Sequence, residues 1–487
     1  MFENDFLTGN AASKDAFRNL IARAADIVCH SLPERPYAGD SPQALAKVLD
    51  SDFIPPTKSS WDQISARLRS VTSKSIAVSH PRTAAHLHCP PLLAALAAEV
   101  VISALNQSMD SFDQAPIASI VEQKTIRWLC DEIGLPGTSG GTFTTGGSQS
   151  NYMGLLLARD AFLQKHWNWS AQKSGLPPEA CRLRILCSEV AHFTVEKSAS
   201  QLGLGTDAVV RIEVDDHFRM KPASLGSALE ALESEKLLPM AVVATAGTTD
   251  FGSIDPLPEI LAFAEAANVW LHVDAAYGGA LLFSPRYRDK LAAVERADSI
   301  SIDFHKLFWQ PIPCSAFFLR DAQCFDFIKF HADYLNPESH EDEGVPNLVT
   351  TSLLTSRRFD ALKLWISFQS LGHEKLAAMI ERTITLAHHA AEVIGAAKDL
   401  ELICEPQLST VVFRYLPDLV TKADWLNRAI RQRLFDRGVA IVGHTSVGGR
   451  PCLKFTCMNP VTTETDLEEL VELIRNEGKS LASERGT

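Results

Sequence analysis

At 487 residues the chain is too long for one small domain and fits a large α/β domain with one or two smaller ones. Its 46% hydrophobic and 22% charged residues are those of an ordinary globular protein, and a formal charge of −13 excludes a general polyanion binder, which needs a basic face. The ten cysteines contain no CxxC pair, so neither a disulfide framework nor a metal site is expected.

The start, MFENDFLTGN, lacks the basic and apolar runs of a secretory signal. The most apolar stretch, Pro91 to Leu105, is interrupted by Glu99 and too short to span a bilayer. A cytoplasmic chain with neither membrane nor nucleic acid as partner is expected. Residues 1–85 read as a helical N-terminal segment: Phe17, Leu20, Ile21, Ala24, Ile27 and Val28 follow amphipathic spacing. After a break at Pro55 and Pro56 a second helical stretch starts near Trp61. Such a segment is either a small domain or an arm lying on a partner subunit.

Residues 86–372 alternate helical stretches with short apolar strands, at Arg184–Cys187, Ala241–Thr245, Trp270–Val273 and Ser299–Ile302. The alternation predicts a large α/β domain with a mainly parallel sheet, whose ligands collect at the carboxyl ends of the strands. Residues 373–487, with strands expected at Thr410–Tyr415 and Cys452–Cys457, suit a small α+β C-terminal domain.

The residues just after those strands carry chemistry. Lys306, in Ser301-Ile-Asp-Phe-His-Lys306, follows a strand, with His305 beside it; alone, such a lysine reads as a solvated surface residue. Asp274 ends the apolar strand of WLHVDAAY, where a bare carboxylate is costly unless paired. A cationic pyridine nitrogen is one such partner and a helix cap another; the small Ala276 would let an aromatic ring lie flat. In Thr144-Thr-Gly-Gly-Ser148-Gln149-Ser150-Asn, glycines precede a helix expected from about Tyr152. This is either a phosphate cradle with hydroxyl donors or a plain capping turn. His192 could stack on a ring or serve as a structural histidine, and Thr249 lies in a turn after another strand. In chain order these strand ends offer a phosphate cradle, a histidine, a threonine, an acid and a lysine, a set that points to pyridoxal 5'-phosphate.

On GGSQSN, VAHFTVEK, ATAGTTDFGSID, HVDAAYGG, DFHK and SRRFDALKLW, the chain resembles the group II pyridoxal-phosphate-dependent amino-acid decarboxylases, from His80-Pro81 to the C-terminal domain. The resemblance implies the aspartate-aminotransferase fold (fold type I) and a homodimer with active sites at its interface. It also implies roles. Lys306 would hold the cofactor, Ser148, Gln149 and Ser150 its phosphate, and Asp274 its ring nitrogen. His192 would lie on the ring with Ala276 beneath; Thr249 would line the pocket, and His305 would assist at phosphate or ring. Tyr334, on a loop continuing into the acidic run Glu338 to Glu343, would protonate the substrate's Cα once carbon dioxide has left.

The phrases AHLHCPP, ALNQSMDSFDQ, HKLFWQP and HADYLNPESHED are most similar to L-2,4-diaminobutyrate decarboxylases and the lysine decarboxylases of siderophore pathways. His86 and Asp110 stand where the aromatic branch carries aromatic residues. A carboxylate at 110 favours a substrate ending in an ammonium group, unless Asp110 and Asp113 merely cap a helix. The expectation is α-decarboxylation of L-2,4-diaminobutyrate, with L-lysine or ornithine, then aromatic amino acids or glutamate, as alternatives. An aminotransferase of the same fold would not need the Tyr334 loop, and an aldehyde-forming relative would carry phenylalanine there.

Overall fold

The structure, a computed structural model, describes residues 5–49, 53–339, 343–416 and 423–486. Among these, the strands in chain order are β1 (Thr83–Ala84), β2 (Gly140–Thr144), β3 (Leu183–Ser188), β4 (Val209–Ile212), β5 (Leu238–Thr245) and β6 (Trp270–Asp274). They continue with β7 (Ser299–Asp303), β8 (Ser315–Leu319), β9 (Leu400–Leu402), β10 (Thr410–Tyr415), β11 (Ile441–Val447) and β12 (Arg450–Thr456). The chain divides into two compact units. One comprises residues 1–86, 389–403 and 411–487; the other comprises 87–388 and 404–410.

In the first unit, helices α1 (Ala11–Ser31) and α3 (Trp61–Lys74) pack on one another, with α2 (Pro42–Leu49) between them in sequence. Each long helix starts where a side chain satisfies its first N–H groups: Asn10 accepts from Ser13 N, and Ser60 with Gln63 forms a reciprocal capping box. The sheet of this unit has the order β1-β11-β12-β10-β9. The expected strands at Thr410 and Cys452 lie within it. Three others, β1, β9 and β11, escape sequence reading: β1 has 2 residues and β9 has 3, and β11 carries His444, Thr445 and Ser446 in its partly exposed second half.

The second unit holds the seven-stranded sheet, ordered β2-β8-β7-β6-β5-β3-β4. Its centre is parallel, from β4 through β3, β5 and β6 to β7; β8 runs antiparallel to both β7 and β2. All five positions of β7 and of β8 are buried, as a sheet covered on both faces requires. Helices α4 (Leu93–Leu105), α5 (Pro116–Ile133) and α6 (Gly147–Trp167) also belong to this unit. The helix expected near Tyr152 begins at Gly147, so Ser148, Gln149 and Ser150 occupy its first turn rather than a preceding loop. The glycines that argue for a loop act instead as its N-terminal entry, with Gly146 at φ 147°.

Residues 361–396 form one long helix broken at Gly372 (φ 66°, ψ 173°). The expected domain limit falls on that break, whereas the compact units divide after His388. No helix of the described residues is long and apolar enough to cross a membrane.

Candidate active site

The carboxyl ends of the parallel strands open on one cavity of about 320 Å³. The end of β2 and the start of α6 contribute Thr145, Gly146, Gly147, Ser148, Gln149 and Asn151. The segment after β3 brings His192; β5 and its turn bring Thr245, Gly247 and Thr249. Asp274 ends β6 with Ala276 just beyond it, and Asp303 ends β7 with His305 and Lys306 just beyond it. Residues spread over most of the unit's length are thus collected at one sheet edge, as open α/β folds require.

At the lysine end, Lys306 Nζ lies 2.9 Å from Asp303 Oδ2, and Ser315 donates to the other carboxylate oxygen at 2.7 Å. Burial alone would raise the Asp303 carboxyl. Lys306, His305 and the Ser315 hydroxyl outweigh it and hold Asp303 below the usual carboxylate range. His305 Nδ1 sits 2.9 Å from the Cys314 carbonyl, and burial holds its pKa down against the pull of Asp303. The strand that follows is anchored through Lys363, wholly buried, whose ammonium donates to the carbonyls of Pro313 at 2.6 Å and Pro311 at 3.0 Å and to Glu99 at 2.9 Å.

At the acid end, Asp274 is 6% exposed. It accepts from Asn151 Nδ2 at 2.7 Å, from Ala276 N at 3.1 Å and from Ser301 Oγ at 3.3 Å. His192 Nδ1 lies 2.9 Å from Thr194 Oγ1 and also accepts from Thr194 N at 3.4 Å, which leaves the ring's proton on Nε2. Burial keeps His192 below the ordinary histidine value, although Asp274 pulls the other way. Behind Asp274 stands His272, fully buried and held down to about 4 by that burial.

The structure therefore brings Ser148, Gln149, His192, Thr249, Asp274, Ala276, His305 and Lys306 together. It does not bring Ser150 into the lining. That hydroxyl is fully buried and turned to Thr144 Oγ1 at 2.7 Å, because its place in the first turn of α6 faces the sheet. Tyr334 is 88% exposed and lies outside the lining, as does Asp110; residues 340–342 of the acidic run lie outside the described residues. Asp110 is 7% exposed, and its Oδ1 has no hydrogen-bond partner. His86 belongs to the first unit, exposed and in the left-handed region at φ 62°.

Sequence reasoning missed Asp303, Asn151, Thr245 and His272. Asp303 sits three residues before Lys306 and was legible as a possible ion-pair partner. Asn151 closes the GGSQSN motif, but nothing in its spacing says that it reaches a strand more than a hundred residues away.

The residues fit an aromatic phosphate-bearing aldehyde. Gln149 Nε2 and Thr245 Oγ1 are buried at the cavity wall without a partner, the condition an added ligand relieves. The first turn of α6 offers N–H groups and the positive end of its dipole to an anion. Room at that turn depends on Gly147, where an added Cβ would come within 3.3 Å of Asp303 Oδ2 and 3.2 Å of Ala276 Cβ. A lysine, a buried acid and an anion cradle on a sheet of this topology define a pyridoxal-phosphate enzyme of fold type I. More narrowly, the chain belongs to the pyridoxal-dependent decarboxylases, whose conserved domain matches residues 42–416, and is thus a carboxy-lyase.

The chain is 41% identical over 459 residues to an L-2,4-diaminobutyrate decarboxylase of Acinetobacter baumannii, covering 92% of this chain and 90% of that one. It is 40% identical over 483 residues to the enzyme of the same name from Rhizobium meliloti (strain 1021), covering 98% and 95%. Among solved structures it is similar to the glutamate decarboxylase domain of diaminobutyrate-pyruvate transaminase and L-2,4-diaminobutyrate decarboxylase from Vibrio parahaemolyticus. That likeness has a TM-score of 0.91 at 38% identity and covers 98% of this chain and 99% of that one.

Proposed function

We propose that this chain removes the α-carboxylate of L-2,4-diaminobutyrate, releasing carbon dioxide and 1,3-diaminopropane. The observation that carries the reading is the near-full-length likeness to two enzymes named for that substrate, joined to a cavity that has the lysine, acid and anion cradle in place.

Lys306 would hold pyridoxal 5'-phosphate covalently, Ser148, Gln149 and the start of α6 its phosphate, and Asp274 its ring nitrogen. His192 would lie on one face of the ring and Ala276 on the other, with Thr249 and His305 at its edges. Once bound, the cofactor supplies an electron sink for the bond to the carboxylate. The chain's own part is to hold that bond in line and to exclude water. Asp303, 2.9 Å from Nζ, holds the Lys306 side chain in place at the cavity wall. Tyr334 would deliver a proton to Cα, and its exposure fits a residue that acts only when its segment folds over substrate. Asp110, buried with an unpartnered oxygen, would face the distal ammonium of the substrate, and His86 would be a second substrate contact.

The same reading makes the protein a cytoplasmic homodimer with interfacial active sites and residues 1–85 as its arm. Leu93, Val101 and Leu105 of α4 stand 83%, 46% and 55% exposed, a run of apolar side chains that suits a second copy. The test is carbon dioxide release from L-2,4-diaminobutyrate, L-lysine, L-ornithine, L-glutamate and L-DOPA, with Lys306→Ala as control. Release chiefly from diaminobutyrate, lost in the control together with the visible absorption band, is expected. Release chiefly from glutamate or L-DOPA would overturn the substrate; formation of keto acid without carbon dioxide would overturn the reaction.

A further inference from the structure

One chain of buried polar groups runs behind the acid of the cavity. Trp270 Nε1 donates to Ser299 Oγ at 2.9 Å, and Ser299 Oγ lies 2.8 Å from His272 Nδ1. His272 Nε2 lies 3.0 Å from Asn151 Oδ1, which also accepts from Ser301 Oγ at 2.9 Å. The two hydrogens of Asn151 Nδ2 are then divided, one to Asp274 Oδ2 at 2.7 Å and one to Thr194 Oγ1 at 3.0 Å, and Thr194 meets His192. His272, Ser299 and Ser301 are fully buried, and Asn151 and Thr194 are 1% exposed.

Apart from the Ser301 hydroxyl, whose single hydrogen is shared between Asn151 Oδ1 at 2.9 Å and Asp274 Oδ1 at 3.3 Å, the direction of each bond is forced. A carboxylate only accepts, so the nitrogen of Asn151 must face Asp274 and its oxygen must face His272. That oxygen requires a proton on His272 Nε2, which leaves Nδ1 to accept from Ser299. The Ser299 hydroxyl, giving its hydrogen to His272, accepts from Trp270. Thr194, accepting from Asn151, gives its hydrogen to His192 Nδ1. Helix α6 is shaped for this arrangement: at Gly154 an added Cβ would sit 2.5 Å from His272 Nδ1.

From this geometry we propose that Asn151 is a positioning residue that aims Asp274 at the cofactor's ring nitrogen. His272 fixes the amide, and Thr194 ties the same amide to the histidine over the ring. The inference rests on the reading of Asp274 as the ring-nitrogen partner. It says that ring-nitrogen recognition belongs to a unit of side chains and not to one carboxylate. Losing a charge-assisted hydrogen bond in a dry site corresponds to roughly a 10- to 100-fold loss of binding.

The test uses the full chain stripped of cofactor, titrated by absorbance with pyridoxal 5'-phosphate and with its 1-deaza analogue, which carries C–H in place of the ring nitrogen. Parent, Asn151→Ala, His272→Leu, His272→Gln and Asp274→Ala are compared after their circular dichroism shows them folded. Asn151→Ala should weaken the natural cofactor by about 10- to 100-fold while leaving the analogue within about threefold. His272→Leu should show the same selectivity in smaller measure, and His272→Gln, which can still donate to Asn151, should regain most of it. Equal losses on both ligands would reduce Asn151 to a packing role and overturn the proposal, as would no loss on either. If Asn151→Ala does not fold, the two His272 variants decide, and equal behaviour of Leu and Gln there overturns it. Asp274→Ala separates the two levels: failure to discriminate even there sinks the ring-nitrogen reading, whereas selectivity in Asp274→Ala alone sinks only the role of Asn151.

Discussion

Arg357, in the SRRFDALKLW stretch, makes with Glu122 an ion pair that tests how the β2–α6 end of the cavity is held. The guanidinium meets both carboxylate oxygens, Nη2 to Oε1 at 2.8 Å and Nη1 to Oε2 at 3.2 Å, with the two side chains 4% and 1% exposed. The same pair clasps Phe143 of β2: Phe143 N donates to Glu122 at 3.4 Å and its carbonyl accepts from Arg357 at 3.3 Å. At 2.8 Å and an effective dielectric of about 20, the Coulomb attraction is about 6 kcal/mol, most of it offset by the loss of hydration. Arg357→Met leaves Glu122 buried without its partner and should cost about 3–5 kcal/mol. Adding Glu122→Leu removes the stranded charge and should restore all but about 1–2 kcal/mol. Urea unfolding of the cofactor-free proteins, followed by tryptophan fluorescence, measures both. Because β2 leads into Gly146 and Gly147, the single variant should also bind pyridoxal 5'-phosphate more weakly. A cost below about 1 kcal/mol for Arg357→Met, or a double variant no better than the single, would refute the reasoning.

Gly278→Ala should lose stability by about 1–3 kcal/mol or more in the same assay, since its Cβ would stand 2.3 Å from the Ala246 carbonyl oxygen, backbone against backbone beside the cavity turn. The pH dependence of His272 has a definite sign. Burial keeps its folded value at about 4, below the ordinary histidine value of about 6.5, so the unfolded chain binds the extra proton first. Stability contributed by neutral His272 is complete above about pH 6.5 and declines as pH falls toward 4. The stability advantage of the parent over His272→Gln should therefore shrink across that window; an advantage that stays constant would show that the imidazole is not held neutral.

Several residues legible in the sequence follow an apolar run long enough to be recognised as a buried strand, whereas Ser148 and Gln149 were legible from their glycine-bearing phrase alone. Lys306, Asp274, Thr249 and His192 all stand after such runs. The strands that escaped notice are those whose burial comes from elsewhere. β2 is glycine-rich, β4 is short, and the antiparallel β8 separates two strands that the alternation alone would have set side by side. Asn151 and His272 escaped for a different reason. Their importance lies in a meeting between the first turns of a helix and a strand remote in sequence, and no local pattern encodes which side chain answers which. Ser150 illustrates the converse, a hydroxyl in the phrase expected to bind phosphate that the helical turn directs inward to Thr144. Tyr334 and Asp110, which come from the family resemblance and not from any strand end, stand outside the lining of this cavity.

The placement of β8 also orders events during synthesis. β2 emerges first among the strands of its sheet, yet its partner in that sheet is β8, which emerges last and pairs Ser315 with Thr144. Until then the strand that delivers the anion cradle is an edge with no neighbour, and closing so long a loop is entropically slow. A ribosome-bound chain ending at β7 would already carry the acid and be close to its lysine, with the cradle still unmoored. The cradle at the end of β2 and the segment that carries the lysine can therefore be joined through the sheet only once β8 has been made.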